Sequence, residues 1–366
     1  MKRPVLRGRL AAAALLTVAT AITWLPTSAA AQPPAQRPGP AVVEQSVTFT
    51  VRNVNRTEID CAADGRTYQV RGHIVGPAGA IDDADAVTLF LHGLSYGEFF
   101  TNFDLVPGYN FADKQARDGH VTVTIDRLGY DSSDRPATLL TCIGAQADIA
   151  DQIVRQLRSG DYDTGNGARS SRSFDQVVLA GHSVGGLIAQ TVAHTFGDID
   201  GLMVLSYSDV AFSPSAQLAA ARASLECVAG RPGPPGRGYV FFGATPLDFV
   251  KAHFFVSNAS PVVTAATAAI RNQDPCGDVL SYVGAVTNDL AHVDEIDVPT
   301  LVLIGGEDAI YPVPASTQAA LLTGSDDVTA VTLPATGHAV TLHYTADAFQ
   351  NILSTWLDQH GFPGSR

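Results

Sequence analysis

The segment Val177-Val178-Leu179-Ala180-Gly181-His182-Ser183-Val184-Gly185-Gly186 constrains this chain more than any other. An apolar run suited to a buried strand leads directly into G-x-S-x-G, and an apolar helical pattern follows over 185–195. So sharp a strand-to-helix turn holds its serine in a strained backbone conformation and exposes the hydroxyl. Gly181 and Gly185 carry no side chain, so strand and helix can close around the turn. The helix N-terminus turns backbone N–H groups, and the positive end of its dipole, toward negative charge developing beside the serine. Ser183 is therefore the candidate nucleophile. The competing reading is a tight glycine turn with an idle serine.

A serine hydroxyl attacks poorly without a base. Two downstream stretches supply what is needed. Leu301 to Ile304 reads as a buried strand, and Gly305-Gly306-Glu307-Asp308 follows it. Asp308 is the first choice for the carboxylate that orients a histidine. Glu307 beside it, and Asp209 after the run Ser206-Tyr207-Ser208, stay open as alternatives. Thr336-Gly337-His338 follows the last strand pattern, Val328–Leu333, and makes His338 the candidate general base. Phe90-Leu91-His92-Gly93-Leu94 is a strand ending in His-Gly. Its glycine lets the loop turn, so the N–H groups of Leu94 and Val184 are the expected oxyanion donors. Each such donor is typically worth about 3 kcal/mol in the transition state. His92 is expected to brace the loop, and His182 to point away from the reacting atoms. The turn Asp126 to Ser133 is read as structural.

Other short apolar runs extend the pattern. Val47–Val54 and Thr67–Val75 suggest an opening antiparallel pair. Val87–Leu91, Val121–Ile125, Val177–Ala180, Leu202–Ser206 and Leu301–Ile304 suit buried parallel strands. Helical spacing recurs at Ile143–Leu157, Ala315–Leu322 and Ala346–His360. Alternating strands and helices predict an α/β fold, a mostly parallel central sheet with helices on both faces. Residues 211–296 break the rhythm with a Pro/Gly loop, an alanine-rich helical stretch and a cluster of aromatics. They are read as an inserted cap, and 45–210 with 297–366 as the core. Residues 32–44 are read as a disordered, proline-rich linker.

The first 31 residues have the form of a secretory signal. Lys2, Arg3, Arg7 and Arg9 precede an uncharged, mostly apolar run, Leu10–Leu25, and Ala29-Ala30-Ala31 offers a cleavage site. The run is short for a membrane span, so no stable anchor is expected after cleavage. Removing those four basic residues leaves 19 basic against 36 acidic residues, a net charge of −17. So acidic a chain repels phosphate backbones, which argues against a nucleic-acid partner. Cys61, Cys142, Cys227 and Cys276 make an even count in an exported chain and suggest two disulfides. Three pairings are possible. Cys61–Cys142 and Cys227–Cys276 are preferred because each lies within one region. No cysteine or histidine spacing points to a metal site.

The ordered set His92-Gly93, Asp126 to Ser133, Gly181-His182-Ser183-Val184-Gly185, Asp308 and His338 resembles the α/β-hydrolase superfamily, over roughly residues 45–360. Within it the chain is similar to secreted serine esterases and lactonases with a mobile cap. The resemblance implies a Ser183, Asp308 and His338 triad, an acyl-enzyme and no cofactor. It also implies a small-molecule ester or lactone as substrate, with macrocyclic lactones among the options, and the aromatic-rich cap suggests a neutral, apolar or aromatic acyl or alkyl group. The oligomeric state stays open. Serine at the elbow separates the chain from dehalogenases and epoxide hydrolases, which carry aspartate there. His92-Gly93-Leu94-Ser95 departs from the H-G-G-G form of some lipases. Alternatives of the same fold are a cofactor-free haloperoxidase, a peptidase or a C–C bond hydrolase. A non-catalytic ligand-binding protein is a further alternative.

Overall fold

The short β-branched runs share one sheet because their residues have no polar face to offer water. In the computed structural model, which describes residues 40–362 apart from 80, 82, 138, 166–171, 231 and 234–235, nine strands pair side by side. They are β1 (Val42–Arg52), β2 (Thr67–Pro77), β3 (Ala86–Leu91), β4 (Thr122–Asp126), β5 (Asp163–Thr164), β6 (Gln176–His182), β7 (Gly201–Leu205), β8 (Thr300–Gly305) and β9 (Val328–Leu333). Their order across the sheet is β9-β8-β7-β6-β3-β4-β2-β1-β5. From β9 to β4 all neighbours are parallel. β2 runs antiparallel to β4, and β1 antiparallel to β2. Every residue of β4, β7 and β8 is buried, as expected of strands covered on both faces.

The helices are α1 (Phe111–Arg117), α2 (Ile143–Ser159), α3 (Val184–Phe196), α4 (Pro214–Val228), α5 (Pro246–His253), α6 (Pro261–Ile270), α7 (Cys276–His292), α8 (Ala315–Ala319) and α9 (Ala346–Gln359). Side chains alternate across β6. Val177 and Leu179 join one apolar cluster with α2 and α3, while Val178 and Ala180 join a second with α1 and α9. That alternation is the period of two expected of a strand between two helical layers. The sheet and its two helical faces predicted from the sequence are therefore present.

Two details depart from the sequence reading. The linker was expected to run to residue 44. Instead β1 begins at Val42, and Val42, Val43 and Glu44 pair with Pro77, Gly76 and Val75. A neighbouring strand with free ladder groups overrides the weak local signal. The signal segment, 1–31, and the rest of the linker to residue 39 lie outside the described residues. The second departure is α1, too short to show helical periodicity and started by Asn110, whose side chain accepts the N–H of Asp113.

Residues between β7 and β8 carry α4 to α7. Disulfide Cys227–Cys276 joins the end of α4 to the start of α7, and Cys61–Cys142 joins the loop after β1 to the start of α2. Both pairings match the preferred connectivity. α7 packs on α2 and α3. Among the described residues no helix is long and apolar enough to cross a membrane.

Candidate active site

Ser183 sits between β6 and α3 with φ 55° and ψ −125°, a conformation that L-residues rarely adopt. The glycines around it are required by contact. A Cβ on Gly181 would lie 2.0 Å from the Gly185 carbonyl oxygen, and one on Gly185 2.2 Å from that of Leu91. Strand, elbow and helix therefore touch backbone to backbone. Gly93 meets the elbow from the other side, where an added Cβ would fall 2.8 Å from the Ser183 Cβ. Leu94 and Val184 border the same small cavity as Ser183. Val184 opens α3, where N–H groups have no upstream carbonyl to donate to.

Asp308 follows β8 and is buried. One oxygen accepts the N–H groups of Ile310 (2.8 Å) and Tyr311 (3.0 Å). The other lies 2.9 Å from Nδ1 of His338, which is fully buried in the loop after β9. His338 Nε2 has no partner among the described residues. The alternatives for the acid are occupied elsewhere. Glu307 is exposed. Asp209 accepts from the Tyr207 hydroxyl (2.5 Å) and from the side-chain amides of Gln190 (3.2 Å) and Gln318 (2.6 Å).

Three histidines brace this arrangement. His92 donates from Nδ1 to the Gly93 carbonyl (2.8 Å) and accepts at Nε2 from the Arg127 N–H (3.0 Å). That pattern requires the neutral ring, and burial with Arg127 nearby holds its pKa well below the usual histidine value. His182 donates from Nε2 to the His338 carbonyl (2.9 Å), its ring stacked on Phe100. It supports the loop of His338, and its ring centre lies 4.6 Å from that of His338. His343, which sequence reasoning missed, accepts at Nε2 from the N–H groups of Phe255 (3.0 Å) and Gly337 (3.1 Å) and donates from Nδ1 to Ala339 (2.8 Å). It stitches the His338 loop to the segment after α5. A histidine so far from any motif offers no sequence signal for that role.

The turn after β4 is structural, as read. Asp126 accepts from the Ser132 hydroxyl (2.6 Å) and the Glu98 N–H (2.7 Å), while the Ser133 hydroxyl donates to the Asp126 carbonyl (2.5 Å). Arg127 was not singled out from the sequence. Buried, it donates to Asp278 on α7 (3.0 Å) and to the His92 carbonyl (2.9 Å), joining the loop of Gly93 to α7. Asp274 was missed as well. It accepts the N–H groups of Ser95 (2.6 Å) and Phe242 (3.1 Å), and burial pushes its carboxyl up to about 7. His253 closes α5, lines the Ser183 cavity, and lies with its ring centre 5.1 Å from that of His338.

The cavity at Ser183 is small, about 30 Å³, and mostly apolar. A second cavity of about 300 Å³, between α4 and α5, shares Phe242 and Ile310 with it and carries Arg222, Asp248 and Lys251.

A parallel sheet with a strained serine elbow and a buried Asp–His pair at its edge defines the α/β-hydrolase class. The sequence matches the alpha/beta hydrolase family over residues 88–349, and the chain belongs to that enzyme family. No curated protein matches it. Among solved structures it is similar to a monoacylglycerol lipase of Paleococcus ferrophilus, with a TM-score of 0.55 and 19% identity, covering 75% of this chain and 94% of the lipase. It is similar to an enol-lactonase of Burkholderia xenovorans LB400, with a TM-score of 0.56 and 15% identity, covering 80% of this chain and 97% of that one. It is also similar to a thioesterase domain of the curacin biosynthetic pathway, with a TM-score of 0.50 and 15% identity, covering 82% and 99%. At such identities the likeness speaks to the fold alone.

Proposed function

We propose that the chain is an exported serine hydrolase that cleaves short-acyl carboxylic esters or lactones through an acyl-enzyme. The observation that carries this reading is the buried histidine at 338. Its Nδ1 is held by a carboxylate, its Nε2 is left without a partner among the described residues, and its carbonyl accepts from His182, the residue before the strained serine. His338 Nε2 takes the Ser183 proton as Oγ attacks the carbonyl carbon. Asp308 stabilises the resulting imidazolium. The N–H groups of Leu94 and Val184 receive the oxyanion. The tetrahedral species collapses, His338 returns the proton to the leaving alkoxide, and water then repeats the sequence to release the acid. The cap, 211–296, covers the site and supplies the wall of the larger cavity.

The volumes support the substrate preference. About 30 Å³ beside Ser183 holds roughly two or three water-sized groups, enough for a short acyl chain. The larger, charged-rimmed cavity suits the alcohol side. Two disulfides favour an oxidising compartment, in line with the signal-like N-terminus. The test is hydrolysis of p-nitrophenyl esters from acetate to dodecanoate, and of several lactones, by wild type and Ser183→Ala. Wild type is expected to prefer the shortest acyl chains and to be labelled by a fluorophosphonate. Ser183→Ala should lose labelling and at least a thousandfold of kcat/KM. Undiminished turnover in that variant, or ligand binding with no turnover in wild type, would overturn the reading.

A further inference from the structure

Ser95 is buried and holds φ at 67°, in the left-handed region that a residue with a Cβ seldom occupies. It follows Leu94, whose N–H is assigned above to the oxyanion. Two residues of the cap segment before α7 hold Ser95 by both of its backbone groups. The Ser95 N–H donates to Asp274 Oδ1 at 2.6 Å, and the Ser95 carbonyl accepts the Asn272 N–H at 2.8 Å. Asp274 is fully buried, and its Oδ2 accepts the Phe242 N–H at 3.1 Å. The Tyr130 hydroxyl, which accepts from Arg127, lies 3.1 Å from Asp274 Oδ1 and 3.4 Å from Asp278 Oδ2.

A peptide unit is planar, so holding its carbonyl restrains its N–H, and the reverse. His92 Nδ1 donates to the Gly93 carbonyl at 2.8 Å and so restrains the peptide that carries the Leu94 N–H. Asp274 restrains the next peptide through the Ser95 N–H. Leu94 lies between two pinned planes, and its N–H swings only if one of those bonds breaks. The protonation of Asp274 does not change this. Burial lifts its carboxyl to about 7. As a carboxylate it takes the Ser95 hydroxyl hydrogen at Oδ2, 3.3 Å away. As the acid it turns a proton on Oδ2 toward the Ser95 oxygen, and the hydroxyl hydrogen turns to the Phe242 carbonyl, also 3.3 Å away. Oδ1 accepts the Ser95 N–H in both forms.

We propose that Asp274 is a positioning residue of the oxyanion site, a carboxyl group of the cap that holds the Leu94 N–H in place through the N–H of Ser95. This rests on the serine-hydrolase reading above. A carboxyl group suits the task because its two oxygens face different segments. One receives the loop after β3 at Ser95, and the other receives the cap at Phe242. The oxyanion site is then completed by a segment outside the α/β core, and the cap contributes to the chemical step as well as to the wall of the cavity.

The test compares p-nitrophenyl acetate with its thionoacetate counterpart, in which sulfur replaces the carbonyl oxygen. Sulfur is a poor hydrogen-bond acceptor, so the oxo-to-thiono ratio of kcat/KM reads what the oxyanion donors contribute. Asp274→Ala is expected to lower kcat on the acetate by about tenfold or more with KM within about threefold, the mark of an interaction made only in the transition state. The oxo-to-thiono ratio should fall by about fivefold or more, short of the roughly hundredfold that losing a donor outright costs. Asp274→Asn should recover most of both losses. It keeps an oxygen for the Ser95 N–H when its amide NH₂ lies on the side of the Ser95 hydroxyl. A folded Asp274→Ala enzyme with wild-type kcat, or one that slows on both substrates equally, overturns the proposal and leaves the serine-hydrolase reading intact. A wild type that does not hydrolyse the acetate overturns that reading instead. The Ser95 amide in the unmodified protein gives a readout independent of variant folding. So short a bond to a carboxyl oxygen is expected to move its proton shift far downfield and to slow its exchange with solvent. An ordinary shift with fast exchange refutes the clamp.

Discussion

Asp308→Asn is the substitution whose outcome the site geometry specifies most closely. One Asp308 oxygen accepts two backbone N–H groups at 2.8 and 3.0 Å, and the other faces His338 Nδ1 at 2.9 Å. An asparagine is nearly the same shape but must choose which end carries its oxygen. Turning the amide nitrogen toward two N–H donors loses both bonds, each worth about 1 kcal/mol, and sets donor against donor. The oxygen therefore stays on Ile310 and Tyr311, and the amide NH₂ faces Nδ1. The imidazole must then accept at Nδ1 and carry its hydrogen on Nε2. In that tautomer Nε2 cannot take the Ser183 proton. A wrong-tautomer substitution of this kind costs about 10⁴ in rate, or roughly 5.4 kcal/mol of transition-state stabilisation. The assay is kcat/KM on p-nitrophenyl acetate, with near-UV circular dichroism to verify that the variant is folded. Asp209→Asn, whose carboxylate is held by Tyr207, Gln190 and Gln318, should cost less than tenfold. A folded Asp308→Asn enzyme keeping a tenth of wild-type activity, or a larger loss in Asp209→Asn, would refute the assignment of the acid.

Gly93→Ala places a methyl 2.8 Å from the Ser183 Cβ and must push the loop of Leu94 away from the elbow. It is expected to lower kcat/KM by about a hundredfold, the scale of losing one oxyanion donor, and a variant with half of wild-type activity would contradict the packing argument. Arg127→Met strands the buried Asp278 carboxylate and is expected to cost about 3–5 kcal/mol in urea unfolding; Arg127→Met with Asp278→Leu should recover much of that loss, and no recovery would mean the pair is uncoupled. Burial beside Asp209 raises the Asp289 carboxyl well above its usual value, so the native state binds a proton that the unfolded chain releases. Its stabilising contribution is complete below the unfolded pKa and is lost as pH rises through the folded one. Wild-type stability measured against Asp289→Asn should therefore fall with rising pH, by up to about 1.4 kcal/mol per pH unit, and a constant difference between pH 5 and 8 would rule this out.

Much of this molecule was legible without coordinates because its signals are local. The elbow at Gly181–Gly185 is one turn whose glycines are dictated by backbone contact within a few residues and with the adjoining strand. The buried strands announce themselves as unbroken apolar runs, and the order of Ser183, Asp308 and His338 along the chain follows from which strand each loop leaves. The preferred disulfide pairs could be judged by region alone. Only the tertiary structure decided between Asp308, Glu307 and Asp209 as partner of His338, because all three follow strand ends and only packing brings one carboxylate within 2.9 Å of the ring. The same holds for His253, His343, Arg127 and Asp274. Their partners lie far away in sequence, and nothing in a single histidine, arginine or aspartate reveals which distant group it will meet. Local propensity and pattern act over a few residues, whereas a buried hydrogen-bond network is set by the closing of the whole sheet and the segment laid across it.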